Sequence, residues 1–224
     1  MLKKIYFIFM LILSLGLMGC AGTYQVLVNG YVDPKTPAPF APGAAFFVIG
    51  NKDAQNPLLE KEVKEKSARL LEKMGYRLAP FEKAEYYLLF AYGIGAGRPV
   101  VTMPDYTFGF GIGAGLGSGY YGRRNYVFGG PFFGGYYPYP AVSTERAYDR
   151  WLILSVIDAK HYREKGDFRT LWVGEARSSG TSSDLREMIN YLLVAAFEQF
   201  GKDTKKAVGV DLERTDPRVK DLEK

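Results

Sequence analysis

The sequence predicts an α+β fold: a mixed or antiparallel sheet with two amphipathic helices packed on one face, plus a Gly/Tyr/Phe-rich low-complexity insertion. Three observations carry that prediction. Apolar residues recur at helical spacing in two stretches, 57–74 and 185–200, and short apolar or alternating runs lie in both halves of the chain. Between them, residues 93–140 hold 14 of the 26 glycines. The 224 residues, 24% charged and 47% hydrophobic, suit one ordinary domain or two small ones.

Tyr24 to Val32 has strand composition. The following stretch holds Pro34, Pro37, Pro39 and Pro42, which forbid regular helix or central strand and leave a semi-rigid connector. Ala45 to Ile49 reads as the second strand. Asn56 then caps a helix whose first turn accepts Pro57, because the missing N–H has no intrahelical role there. Leu59, Val63, Leu70 and Met74 form its apolar face, Glu60, Lys61, Lys64 and Glu65 fall largely outside it, and Gly75 stops it. Glu85 to Tyr92 alternates as a strand, with Tyr86, Leu88, Phe90 and Tyr92 on one side.

Trp151 to Ile157 is apolar on both faces, as a central strand should be. A polar loop around Lys165-Gly166-Asp167, in which His161 sits solvated, leads to a strand over Leu171 to Ala176. Ser182 or Ser183 is expected to cap the second helix, whose stripe is Leu185, Ile189, Leu192, Ala196 and Phe200 and which Gly201 ends. Residues 201–224 form a charged C-terminal segment, expected as a surface strand and a loose tail.

The N-terminus carries an address. Lys3 and Lys4 precede the uncharged run Ile5 to Met18, which ends in Leu17-Met18-Gly19-Cys20. Basic region, apolar run and small-residue site stand in the order of a secretory signal, and the run is shorter than the roughly 20 residues a membrane-spanning helix needs. Its last four residues resemble the bacterial lipobox. That resemblance implies a signal peptide over 1–19, acylation of Cys20 and a lipid-anchored domain over 20–200. Two or three acyl chains would hold it on the bilayer effectively permanently. Ala21 stands where, in similar lipoproteins, an aspartate would favour the inner membrane, so the expectation is the outer membrane, facing the periplasm. Loss of residues 1–19 removes two lysines and leaves a formal charge of +3 from +5, which argues against nucleic acid as a partner.

Further motifs, in order, resemble one family. They are Lys73-Met74-Gly75-Tyr76, Lys83-Ala84-Glu85-Tyr86-Tyr87, the run Leu152 to Ala159 ending in Asp158-Ala159, and Leu171-Trp172-Val173-Gly174-Glu175-Ala176. Together they resemble bacterial outer-membrane lipoproteins carrying domain of unknown function 4136, over most of residues 23–200. The connection from Ala159 to Thr170 is longer than the family's compact turn. The resemblance implies a lipid-anchored α+β domain with no established activity or catalytic residues. Trp172 and Gly174 read as structural: a core-filling indole and a glycine permitting close approach.

In the insertion, Phe108, Phe110, Ile112, Ala114 and Leu116 alternate with five glycines from Thr107 to Gly117, and Arg123-Arg124 separates two uncharged runs. Three readings stand: a low-complexity insertion that glycine entropy keeps from ordering, a self-associating or partner-binding segment, and a membrane-inserting hairpin. Gly117 to Gly122 satisfies G-x-G-x-x-G but lacks the strand-to-helix context and the downstream acid of a nucleotide site.

With one cysteine and one histidine, disulfides, Cys/His metal sites and histidine triads lack their partners, so no cofactor or metal site is expected. Glu145, Asp149, Asp158, Glu175 and Asp184 could in principle pair for acid–base work, yet no spacing marks them, and strand-end, turn and capping roles account for each. The expectation is a non-enzymatic envelope protein, tethered through acylated Cys20, that binds an unidentified envelope protein or itself. The alternative is an oligomeric pore or secretion component that uses residues 93–140.

Overall fold

Runs with a two-residue period build the centre of the molecule. The computed structural model describes residues 22–36, 40–102 and 143–224. Its strands are β1 (Thr23–Val32), β2 (Ala45–Ile49), β3 (Arg77–Leu78), β4 (Tyr86–Ile94), β5 (Arg98–Thr102), β6 (Ser143–Asp158), β7 (Thr170–Gly180) and β8 (Val208–Glu213). Its helices are α1 (Pro57–Lys73), α2 (Ala159–Lys165), α3 (Leu185–Glu198) and α4 (Pro217–Leu222). The sheet runs β3-β2-β4-β6-β7-β1-β8, with β5 paired to β6. β2 is parallel to β3 and β4, and the pairs from β4 through β8 are antiparallel. This is the expected α+β class, as an open, mostly antiparallel sheet.

The chain divides into two compact units. One comprises the residues up to Arg98 with Arg146–Lys224; the other is Pro99–Glu145. In the second unit the described residues are strand ends, Pro99–Thr102 and Ser143–Glu145. Strands also occupy residues 93–94 and 98–102 of the glycine-rich stretch, while Thr107 to Gly122 and Arg123-Arg124 lie outside the described residues.

Within the first unit, α1 and α3 share one face of the sheet. Val26, Val28, Phe46, Val48, Leu88, Leu152, Leu154, Val156 and Trp172 meet Val63 and Leu71 of α1 and a long buried run of α3, Met188 to Phe197. Asn56 accepts the Leu59 N–H at 3.1 Å, as a cap should. The α1 stripe is shifted from expectation: Leu71 is buried and Met74 exposed. Glu60 and Lys66 are buried too. Glu60 Oε1 accepts the Asn51 N–H at 2.6 Å, and Lys66 lies 3.7 Å from Glu62, so both are removed from water with partners.

Two helices and two strands, β3 and β5, were not expected. Asp158 accepts the His161 N–H at 3.0 Å and thereby starts α2, which Gly166 ends at φ 77°, where a side chain would be strained. His161 is therefore helical and half-buried, with Nε2 2.8 Å from Asp167 Oδ1, and does not sit in a solvated loop. The two-residue β3 is too short to leave a periodic trace. After β8, whose Val210 and Leu212 are buried, α4 buries Val219 and Leu222 beside α3, so the C-terminal segment is part of the core and no loose tail. The cap of α3 is Asp184, which accepts the Glu187 N–H at 3.0 Å; Ser182 instead accepts the Asp184 N–H at 3.2 Å.

Candidate functional site

Alternation leaves the sheet a second face. At one end α2 and the 79–84 loop cover it with a smaller core of Ala84, Tyr87, Ile157 and Ala159, flanked by Phe47, Phe81 and Tyr162. Arg163 Nη1 secures that cover by donating to the carbonyls of Ala84 (2.9 Å) and Phe81 (3.1 Å). Elsewhere no described element lies over it, and Leu27, Tyr31, Trp151 and Phe168 are exposed there. Exposed apolar groups gathered on one face mark an interaction surface more often than scattered ones do.

Strand register builds this surface. Leu27 lies opposite Arg177, Arg177 opposite Trp151, and Trp151 opposite Gly93. The glycine is required: a Cβ at position 93 would stand 2.6 Å from Cζ2 of the Trp151 ring, so its absence lets the indole lie flat across β4. A shallow hollow of about 670 Å³ is lined by Gln25, Leu27, Trp151, Ile153, Arg177 and Ser179. A second, of about 310 Å³, shares Ile153 and reaches Leu89, Ala91 and Phe168. The charges around them are paired in water: Arg177 lies 3.3 Å from Glu175, and Arg98 lies 3.4 Å from Asp149. A hydrogen bond from Ser179 and the Arg98 guanidinium hold the Asp149 carboxyl below its usual range.

A third concavity, of about 630 Å³, opens beside the N-termini of α1 and α3, lined by Asn56, Glu60, Tyr92, Asp184 and Arg186 among others. Burial, and Glu60 beside it, push the Tyr92 phenol above its usual range. Arg186 forks onto Glu62 at 3.0 and 2.5 Å. These contacts join elements, and each charged group already has its partner.

The five carboxylates do not converge. Asp158 and Asp184 cap helices, Asp149 and Glu175 pair with arginines along the sheet, and Glu145 belongs to the other unit. Among the described residues no three His, Cys, Asp or Glu side chains come together as metal ligands, and no helix is long and apolar enough to cross a membrane. Cys20 lies outside the described residues. Sequence reasoning missed the Trp151 platform, although its signal, Gly93 on the alternating strand ahead of an apolar central strand, is present.

The sequence pattern described as Domain of unknown function (DUF4136) matches residues 28–200. No curated protein matches the chain. Among solved structures, a PDZ domain protein from Parabacteroides distasonis aligns at 13% identity and TM-score 0.45, over 89% of this chain and 41% of that one, so this chain spans well under half of it. The PelC dodecamer from Paraburkholderia phytofirmans aligns at 13% identity and TM-score 0.40, over 79% of this chain and 98% of that one. A DUF4136 family protein from Bacteroides thetaiotaomicron aligns at 16% identity and TM-score 0.36, over 78% and 92%.

Proposed function

Because the chain belongs to the DUF4136 family, whose description assigns no activity, we propose that it is a non-enzymatic, lipid-anchored binding or assembly module of the outer membrane, facing the periplasm. The observation that carries this reading is the order Lys3-Lys4, uncharged run, Gly19-Cys20, followed within three residues by the first strand of the folded domain at Thr23. Acyl chains on Cys20 hold the domain at the bilayer and raise its effective concentration toward other envelope components. The uncovered sheet face, with an indole held flat among apolar and paired polar groups, supports a binding role over a catalytic one.

The test is fractionation and mass spectrometry of the mature chain and of Cys20→Ser. The mature N-terminal peptide should carry the acyl mass, and the variant should leave the membrane fraction. A variant that stays in the membrane with residues 1–19 attached would mean an uncleaved anchor and overturn the reading.

A further inference from the structure

We infer that the uncovered sheet face between Trp151 and Phe168 binds a neutral, extended oligosaccharide whose sugar rings stack on those two side chains. The inference deepens the binding role proposed above by naming the ligand class; it rests on that role and is independent of acylation at Cys20.

Both rings are exposed on one side and supported on the other. Trp151 is 37% exposed and Phe168 62%. Beneath the indole is Gly93, whose missing Cβ leaves the space the ring occupies, and Phe168 stacks on Tyr162 with centroids 5.1 Å apart and planes 6° from parallel. A ring backed in this way is a platform, whereas the aromatic side chains that anchor protein partners project into a pocket of the other surface. A sugar ring suits a platform, because its C–H groups meet the electron-rich face of the aromatic ring while its hydroxyls point outward at the edge. The two hollows share Ile153 and so join the platforms. Trp151 and Ile157, which lines the second hollow with Phe168, stand six residues apart on β6, about 20 Å at roughly 3.3 Å per residue, so the track takes several sugar units.

The groups beside the track decide the ligand's charge and polarity. Arg98 lies 3.4 Å from Asp149 and Arg177 lies 3.3 Å from Glu175, so two cations and two anions cancel. A charged polymer would meet as much repulsion as attraction there, and a neutral ligand is the complement. Asp149 pairs with Ser179 across the strands, a step of about 6.6 Å along β6 from the indole, and Arg177 stands opposite Trp151 on the next strand, about 4.8 Å away. Hydroxyls at the edge of a stacked sugar thus face guanidinium donors, carboxylate acceptors and the Ser179 hydroxyl. An apolar protein or lipid surface laid on the same face would strip water from these groups without replacing its hydrogen bonds. A polyhydroxyl chain replaces them.

The experiment titrates the full mature chain, held in a detergent without sugar headgroups, with cellohexaose and chitohexaose, and with oligogalacturonate as an anionic comparison. The chain has two tryptophans and Trp172 is buried, so a saturable change in tryptophan emission reports Trp151, and calorimetry gives the affinity. At least one neutral hexamer should bind, and the galacturonate should bind more weakly. Trp151→Ala should weaken binding about tenfold and Phe168→Ala severalfold. Trp151→Phe should keep most of it, and Tyr31→Ala, exposed on the same face outside both hollows, should leave it unchanged. No saturable binding of either neutral hexamer, binding untouched by both alanine variants, or a preference for galacturonate would overturn the inference. Oligomers that fall apart in Trp151→Ala with no glycan bound would give the face to a second copy, and binding gained only after removal of residues 103–142 would give it to that segment; either result overturns the glycan site and keeps a binding or assembly role. Glycan bound by a chain whose N-terminal peptide lacks acyl mass would support the site while overturning the anchor.

Discussion

Trp172 shows how much one side chain can demand of its neighbours. Its indole lies over Gly174, where a Cβ would stand 2.2 Å from the ring, and its Nε1 donates to the Lys202 carbonyl at 3.1 Å. Gly30, paired across the strands with Gly174, has room for nothing larger, since a Cβ there would meet the same carbonyl at 2.3 Å. Trp172→Ala should cost about 3–5 kcal/mol by opening a cavity, and Gly174→Ala about 1–3 kcal/mol by overpacking; denaturant unfolding measures both. The structural reading of this pair was legible from spacing: two residues apart on a strand, Trp172 and Gly174 share a face, and a large ring can lie along that face only over a residue without a side chain. Glu60 was not legible. Periodicity places it on the solvated side of α1, and only the approach of Asn51 in the preceding loop and of Tyr92 on β4 gives it partners.

Between elements, the α1–α3 contact is fastened by the Glu62–Arg186 fork. The Arg186 hydrogen bond and charge hold the Glu62 carboxyl below its ordinary value near 4.5. A carboxyl so lowered stabilises the fold above its unfolded pKa and loses that contribution as pH falls through the folded one. Glu62→Gln should therefore be less stable than the parent at pH 7, with the gap closing below about pH 4; melting temperatures across that range check it. Ending the chain at Thr215 removes Val219 and Leu222 from beside α3 and should cost about 3–6 kcal/mol, at roughly 1.5–3 kcal/mol per buried side chain. A tail without a structural role would cost nothing, so thermal melts separate the two. The long elements were legible because their periods persist over many residues. α2 and α4 span seven and six residues. They are specified by single capping aspartates and by packing against elements far along the chain, which a local pattern cannot show.

For the whole molecule, β5 pairs with β6, so the strands on either side of residues 103–142 are already joined. Replacing those residues with a short turn should leave the melting temperature within a few degrees of the parent, since shortening a loop changes closure entropy only slowly. Cross-linking the same variant tests assembly: loss of a defined oligomer would make the glycine-rich stretch the assembling element. The layered α+β class was legible from the order of the runs, whereas strand order was not, because pairing partners are set by contacts remote in sequence. The placement of β1 between β7 and β8 is such a contact, and it governs how the chain comes into being. Thr23 waits for Glu213, so the first strand made finds its neighbours only when nearly the last residues exist. High contact order of this kind makes folding slow. β1 therefore cannot take its place until β7 and β8 have been made, and the order β7-β1-β8 is completed only at the end of synthesis.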